Sequence, residues 1–390
     1  MRTRKENAKE IYHFILIVAA ILAIIIMAAV SPLLKEGLPK PDYYNQDFED
    51  AKVLRVIQED IQQDGVIEGF FTGKQTLEVE VLSGKYQGLI QETVNVIDLS
   101  HTVYATEGME VIVGIREAEE GPKVWVYNHK RKNYLYVLAA LFFLLLIFFG
   151  RKKGVYAIIA LLFTTAILLF ALVPLIFRGY STVLVSSVCA ILALVVSFLV
   201  IGGFEKKTLV AILGTICGIL AAGLVSFVFS SLTRVSVVNL EKGSQIVYMA
   251  LDYKIKVKGI MYASILIASL GAIMDVAMSI SSSMQEIYEL NPAISFQELF
   301  KRGMNIGRDI MGTMANTLIL AFMGGSFSLV MLLWGYNMTL RQISNLPFIA
   351  VEVVQGLSGS IGIVLTVPFT AFMACLLYLR HRQGKIKKVN

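Results

Sequence analysis

Asp275 is the residue of this chain best placed to do chemistry, because it is a lone carboxylate inside a long apolar run. No other residue between Lys258 and Glu286 carries a charge at neutral pH. An acid in the hydrocarbon layer costs about 2.5–3.5 kcal/mol on insertion scales, and such acids usually face a bundle interior or a water-filled cavity. A carboxylate that takes up and releases a proton there can bias two helix arrangements and so couple transport to an ion gradient.

Polar side chains flank Asp275 on its own helix and on the next predicted one. Ser279 and Ser282 share its helical face, and polar residues and a glycine at spacings of four, three and four form a second stripe on the following helix. Because consecutive spans run antiparallel, we expect the stripes to meet and to give Asp275 hydroxyl and amide partners. With a third group in the last helix, the candidate transport or coupling residues are Asp275, Ser279, Ser282, Asn305, Arg308, Asp309, Asn316, Glu352 and Gln355.

A purely structural interpretation of part of this set is equally open. Arg308 and Asp309 suit charges at the membrane surface, and Asn316 suits an ordinary hydrogen bond between helices. Asp275 differs from them, because an intramembrane acid is a functional-site hypothesis by default.

The elements that must position these residues are membrane-spanning helices. Of the 390 residues, 56% are hydrophobic and only 16% are charged, and the mean hydropathy is +0.68, which excludes an ordinary soluble domain. Apolar runs long enough to cross about 30 Å of hydrocarbon predict an α-helical polytopic protein with about eight transmembrane helices. The predicted spans are 11–31, 134–150, 155–177, 181–203, 208–232, 259–284, 311–335 and 357–379.

The distribution of Lys and Arg predicts that both termini are cytoplasmic. The segments assigned to the inside hold seventeen Lys and Arg, and the outer connections after the third span hold seven. The group Lys254, Lys256 and Lys258 on the outer side runs against this assignment. The net charge of +6 is largely this topogenic signal and a basic tail, so we expect no nucleic-acid binding. The first apolar run is expected to be a retained anchor, with a cleavable signal sequence as the alternative.

Residues 32–132 are expected to form a small extracytoplasmic β-rich domain. Their apolar residues alternate with polar ones in about five short runs separated by turn-forming groups, which predicts an antiparallel barrel or sandwich. His101 and His129 lack neighbouring ligands at metal-binding spacing, so we expect no metal site. The three cysteines lie in predicted spans and imply no disulfide framework.

A capping box at Ser295 and Glu298 predicts the start of an amphipathic helix near 293–310, lying in the plane of the cytoplasmic membrane surface. Residues 233–258 are left open between a re-entrant segment and a surface helix. The predicted organisation is therefore an N-terminal segment and first helix at 1–31, the β-rich domain at 32–132, a seven-helix domain at 133–380 and a basic tail at 381–390.

Three stretches, 271–287, 307–318 and 359–368, resemble the YibE/F family of bacterial multi-pass membrane proteins. This resemblance implies a location in the bacterial plasma membrane and a role as a permease. A weaker similarity links the acid-bearing span and its successor to RND and SecD/SecF-type permeases, which are proton-driven. The chain departs from those permeases in its eight predicted spans, its small external domain and its single intramembrane acid.

We therefore expect a permease or exporter whose coupling residue is Asp275, embedded in the lipid bilayer and acting on a small substrate or ion. A partner subunit or a second copy of the chain is expected beside it. The alternative is a non-transporting scaffold or sensor that acts through the external domain. We expect no enzyme activity and no cofactor, because the chain has no nucleophile and base pair, no metal motif and no complete phosphate loop.

Overall fold

The computed structural model describes residues 2–39, 46–119 and 121–386, with side chains described from 11 to 379 within those ranges. The side chains of the predicted basic tail at 381–390 lie outside the described part. The chain divides into two compact units: one is Pro39–Leu145, and the other joins Met1–Leu38 to Leu146–Asn390. The first unit contains an antiparallel sheet, and the second is a bundle of long apolar helices.

The sheet confirms the five strands that alternation predicted. Its strand order is β3-β2-β1-β4-β5, and each pair of neighbours is antiparallel. Alternate side chains form its own apolar core, in which Val53, Leu77, Val79, Val111 and Val113 are fully buried. The strands are β1 at Gln46–Gln63, β2 at Phe71–Val81, β3 at Ile90–Ile97, β4 at Glu110–Ala118 and β5 at Gly121–His129.

The sheet curls into a half-barrel, which is one sheet and not a two-sheet sandwich. The first strand is long enough to pair with β2 and β4, and its register shifts between Val53 and Arg55 and again between Val56 and Gln58. Such irregularities bend a strand and increase its twist. The curl brings the edge strands β3 and β5 together, and the Thr93 hydroxyl donates to the Val124 carbonyl at 2.7 Å.

The helical unit contains fewer separate long apolar helices than the eight predicted spans. Among the described residues, six helices are long and apolar enough to cross a membrane, and one bent pair could be a seventh span. The helix α2, Lys132–Phe177, has 46 residues and covers two predicted spans. It is interrupted at Arg151, where φ is 49° and ψ is −129°. The number of crossings therefore stays a prediction.

The remaining helices follow the apolar runs closely, and the first, α1, is Arg2–Lys35. The others are α3 at Thr182–Gly202, α4 at Lys206–Leu232, α5 at Gly243–Asp252, α6 at Ile260–Leu290, α7 at Phe296–Gly325, α8 at Phe327–Gly335, α9 at Leu340–Ile343 and α10 at Pro347–Ile386. Residues 233–258, for which the sequence allowed either a re-entrant segment or a surface helix, thus contain the short helix α5.

The helix α7 begins where the sequence predicts an amphipathic helix near 293–310. It is continuous from Phe296 to Gly325 and bends by 63° into α8, and its orientation in the plane of the membrane surface stays a prediction. The predicted cap is present, since the Ser295 hydroxyl accepts from the Glu298 amide at 3.2 Å. The helix continues because Leu299, Gly303 and Gly307 place one unbroken buried face against its neighbours.

The helix α4 lies at the centre of this unit and packs closely on α10, α6 and α3. Added Cβ atoms at Gly214 and Gly218 would collide with the hydroxyls of Thr370 and Thr366 on α10. Small residues let helix backbones approach in this way without a hydrophobic driving force from water.

Candidate functional site

The helices that carry the two predicted polar stripes, α6 and α7, are neighbours and antiparallel. A Cβ atom at Gly303 would collide with the Met284 sulfur, and one at Gly307 would lie 3.3 Å from Cδ1 of Ile280. Continuing this register by about one and a half turns brings Asp275 level with Gly312. The packing therefore places the two helices side by side, with Asp275 near the level of Gly312.

Asp275 faces away from the core of its unit, although an intramembrane acid was expected to point inward. The opposite face of α6, with Ile273, Val276 and Ile280, is completely buried, whereas Asp275 and Ser279 are exposed. Ser282 is half-buried.

The predicted partners of Asp275 do not contact its carboxylate in the part of the chain that the structure describes. Among the residues that the structure describes, none makes a hydrogen bond or ion pair with its carboxylate. A Cβ atom at Gly271 or Gly312 would meet no neighbour within 4 Å, so the space beside the carboxylate is open.

The polar stripe on α7 also turns away from the core. Asn305, Asp309, Gly312 and Asn316 are all exposed, opposite the buried glycines of the same helix. Arg308 is exposed as well, and its Nη1 donates to Oδ1 of Asn305 at 3.2 Å. The two helices thus present acids, a guanidinium and amides on faces that nothing else in the described chain covers.

The third predicted group lies elsewhere. Glu352 lines an apolar cavity of about 350 Å³ between α7, α8 and α10, near Phe322 and Ser326. Gln355 is buried close by on α10. Since Phe322 is about three turns along α7 from Gly312, the fold does not bring these two residues to Asp275.

Buried hydroxyls inside the bundle were missed by the sequence reasoning. Five of them, on α4 and α10, have no hydrogen-bond partner among the described residues. The spacing was a usable signal, because intervals of seven and eleven place the three on α4 along one helical face. The five are Thr208, Thr215, Ser226, Ser360 and Thr370.

A separate hydroxyl cluster ties α4, α6 and α10 together. The Tyr378 hydroxyl donates to the Ser281 carbonyl at 3.0 Å, and the Ser281 hydroxyl donates to the Lys207 carbonyl at 2.6 Å. Of the three consecutive serines after Ile280, only Ser281 is fully buried, so its role is structural.

His13 lines a cavity of about 590 Å³ between α1 and the turn from α3 to α4. Its Nε2 lies 2.8 Å from the Val200 carbonyl, and its ring meets Tyr156 edge-on with centroids 4.7 Å apart. These contacts fix the imidazole as a packing element. No group of three or more His, Cys, Asp or Glu that could hold a metal ion is found among the described residues.

In the sheet unit, a group of charged residues around Asp50 forms ion pairs. Lys130 and Lys132 lie 3.1 and 3.2 Å from Asp50. Burial alone would raise the pKa of Asp50, but hydrogen bonds from the two lysines outweigh it and lower the pKa. Partial burial, with Arg131 nearby, lowers the pKa of His129. This unit shows ordinary structural electrostatics.

Comparison with known proteins identifies a family. Residues 138–380 match the family model described as YibE/F-like protein, and this range contains α6, α7 and both polar stripes but not the sheet. No curated protein and no solved structure matches the chain.

Proposed function

Since this chain belongs to the YibE/F-like family and carries long apolar helices, it is a membrane protein, and we propose that it is a permease or exporter subunit driven by an ion gradient. The observation that carries this proposal is Asp275, which lies within a 31-residue apolar helix and has no polar partner among the described residues. A charge in hydrocarbon is costly, and protonation removes that charge.

Protonation would change the preferred surroundings of Asp275. The neutral acid tolerates an apolar environment, whereas the carboxylate favours water or a cationic partner. A protein with two helix arrangements shifts towards the one that suits the protonation state, and alternate exposure to the two sides of the membrane then converts a gradient into transport.

We take the surface of α6 and α7 to be covered by a second copy of the chain. The surface carries both signs of charge, Asp275 and Asp309 together with Arg308, and is therefore able to complement itself across a two-fold axis. Facing lipid instead, the same groups would be solvated poorly. The second copy would supply the polar partners that the single chain lacks.

The coupling role is tested by Asp275→Asn in the full chain, reconstituted into liposomes that enclose a pH-sensitive dye. An amide cannot carry the proton, so proton flux under an imposed gradient should fall by at least about tenfold. Glu286→Gln, at the exposed end of the same helix, is the matched control and should keep its flux. Undiminished flux in Asp275→Asn removes the coupling role.

The second copy is tested by Gly312→Cys in a background in which Cys189, Cys217 and Cys375 are replaced by Ala. A bifunctional thiol reagent should link two copies in native membranes through Gly312→Cys, which sits on the polar surface. Leu224→Cys, an exposed position on α4, is the control and should give little product. Equal crosslinking through Gly312→Cys and Leu224→Cys would show that the copies collide at random and would contradict a specific interface.

A scaffold or sensor role through the sheet is the second candidate. It is favoured by an exposed apolar row, Ile90, Val94 and Val96, on the outer face of β3, because exposed apolar patches are typical of protein interaction surfaces. Deleting 40–125 should abolish the cellular phenotype under this role, while Asp275→Asn should leave it intact. Under the permease role, Asp275→Asn should instead abolish the cellular phenotype.

A further inference from the structure

A cavity of about 900 Å³ lies at the end of the bundle where α3 and α6 begin and α4 ends. Its walls are the first residues of α3, 181–183, the last turns of α4, 226–231, the first residues of α6, 259–262, and parts of the connection between α4 and α6. This cavity is far from the surface already described, because Asp275 is about fifteen residues, or roughly 22 Å, along α6 from its start.

The electrostatics of the cavity favour an anion. Two long helices start at its wall, and neither N-cap, Ser181 or Gly259, makes a side-chain hydrogen bond to the first turn. Helix N-termini carry partial positive charge and amide groups without intrahelical partners. Lys256 and Lys258 add two full positive charges to the lining, which holds no acid among the described residues.

An unpaired hydroxyl points independently to a ligand. Ser226 lines the cavity, is completely buried, and its Oγ has no hydrogen-bond partner among the residues that the structure describes. One turn further, the Ser230 hydroxyl contacts only a weak acceptor, the Met261 sulfur at 3.6 Å. Leaving a buried hydroxyl unsatisfied is unfavourable, so a bound acceptor would stabilise this arrangement.

Much of the remaining lining is apolar. Phe227, Val235, Val247 and Met261 contribute to the walls, so a small inorganic anion would leave most of the space unfilled. Apolar walls with a few placed polar groups are typical of sites that bind amphipathic molecules. Two of the three lysines that run against the topology prediction, Lys256 and Lys258, belong to this lining.

We propose that this cavity binds an anionic amphiphile, a molecule with a carboxylate or phosphate head group and at least one acyl chain. The head group accepts hydrogen bonds from Ser226 and from the first turns of α3 and α6 and pairs with Lys256 and Lys258. The acyl chain occupies the apolar part of the cavity. This site stands whether or not the protein transports ions, since it uses none of the α6 and α7 polar surface.

The test is equilibrium binding of radiolabelled dodecanoate to the full chain in phosphatidylcholine nanodiscs, with empty nanodiscs subtracted. Binding should be saturable and displaced by dodecyl phosphate, but not by dodecyltrimethylammonium or inorganic phosphate at equal concentration. Lys256→Gln with Lys258→Gln should weaken it by at least about tenfold, because two charge-assisted contacts are lost. Ser226→Ala should weaken it by about threefold to tenfold.

Two matched variants control the experiment. Lys254→Gln removes the same charge from the same segment but lies outside the lining, and Ser264→Ala removes a hydroxyl of α6 that already donates to the Ile260 carbonyl. Both should bind as the unaltered chain does. Repeating the titration with phosphatidylglycerol distinguishes the natural source, since competition identifies a membrane lipid and its absence identifies a free amphiphile.

Either of two results overturns the proposal. One is the absence of saturable dodecanoate binding to the unaltered chain. The other is binding that the double lysine variant retains, with a monodisperse size-exclusion profile showing that this variant is folded. Failure here leaves the proton-flux result with Asp275→Asn unaffected, so the two proposals are separable.

Discussion

Two sets of buried polar groups, one in the sheet unit and one in the helical unit, differ in whether their side chains have hydrogen-bond partners. In the sheet, Gln75 and Asn95 are almost completely buried and fully engaged: Gln75 donates to Glu59 and Ala105, each at 3.0 Å, and Asn95 donates to Gln75 at 3.1 Å and to Val103 at 2.7 Å. In the helices, five similarly buried hydroxyls have no partner among the described residues. The buried amides of the sheet thus stabilise the fold through their hydrogen bonds, whereas these hydroxyls of the helices could still bind a hydrogen-bond partner.

The charged residues of the two units differ in the same way, since some have ion-pair partners and others do not. The charges around Asp50 are paired with lysines, whereas Asp275, in an apolar helix, has no ion pair within the described chain. If every charged group were placed to stabilise the fold, both Asp50 and Asp275 would have an ion-pair partner. Unused polar capacity in the family-matched helices is therefore where we look for function.

The largest expected effect comes from breaking the sheet network with Gln75→Leu. The substitution leaves the Ala105 backbone and the Asn95 amide without their partner, so the sheet unit should lose about 2–4 kcal/mol of unfolding free energy. Urea unfolding of the full chain in detergent, followed by Trp125 fluorescence in a Trp334→Phe background, measures it. The exposed Gln62→Leu is the control, and an equal loss there would show that the network is unimportant.

An intermediate effect is expected where α4 meets α10. Gly218→Ala places a methyl group against the Thr366 hydroxyl and should destabilise the bundle by about 1–3 kcal/mol in an SDS unfolding titration. Adding Thr366→Ala makes room and should restore most of that loss. Gly312→Ala meets open space and should be neutral. If the double variant is as unstable as the single one, close packing is not the cause.

The substitution with the smallest expected effect tests the contrast between the buried polar groups of the sheet and those of the helices most directly. Thr215→Val replaces an unpartnered buried hydroxyl by a methyl group of similar shape and should stabilise the helical unit by between zero and about 1 kcal/mol. The same SDS titration measures it. A clear destabilisation would mean that a bound water satisfies Thr215, and the contrast with the sheet would then disappear.

Much of the architecture could be predicted from the chain alone. Period-two alternation around Val79 and Val113 identifies strands, since one side of each strand is buried. Long apolar runs identify helices, because only a helix satisfies its backbone in lipid. Ser295 with Glu298 identifies where α7 begins. Each of these signals is local, and local signals can be read without the fold.

The orientation of Asp275 could not be predicted in the same way. In water the apolar face of a helix is the inner face, but in a membrane both the lipid-facing and the core-facing sides are apolar. On α4, Ile219 and Leu220 are alike to a hydropathy pattern, although the first is buried and the second exposed. The inward orientation of the acid was expected only because most intramembrane acids point inward. The helix packing instead turns Asp275 outward.

By itself the sequence determined the class of the protein, its family resemblance, the strands of the sheet, most of its long helices and the existence of an acid within an apolar helix. Only the tertiary structure decided which way that acid points, that β3 meets β5, and that Ser226 and two lysines share a cavity. The physical reason is the range of the interactions. Periodicity and capping act over one or two turns, whereas burial depends on which distant helix packs against a face.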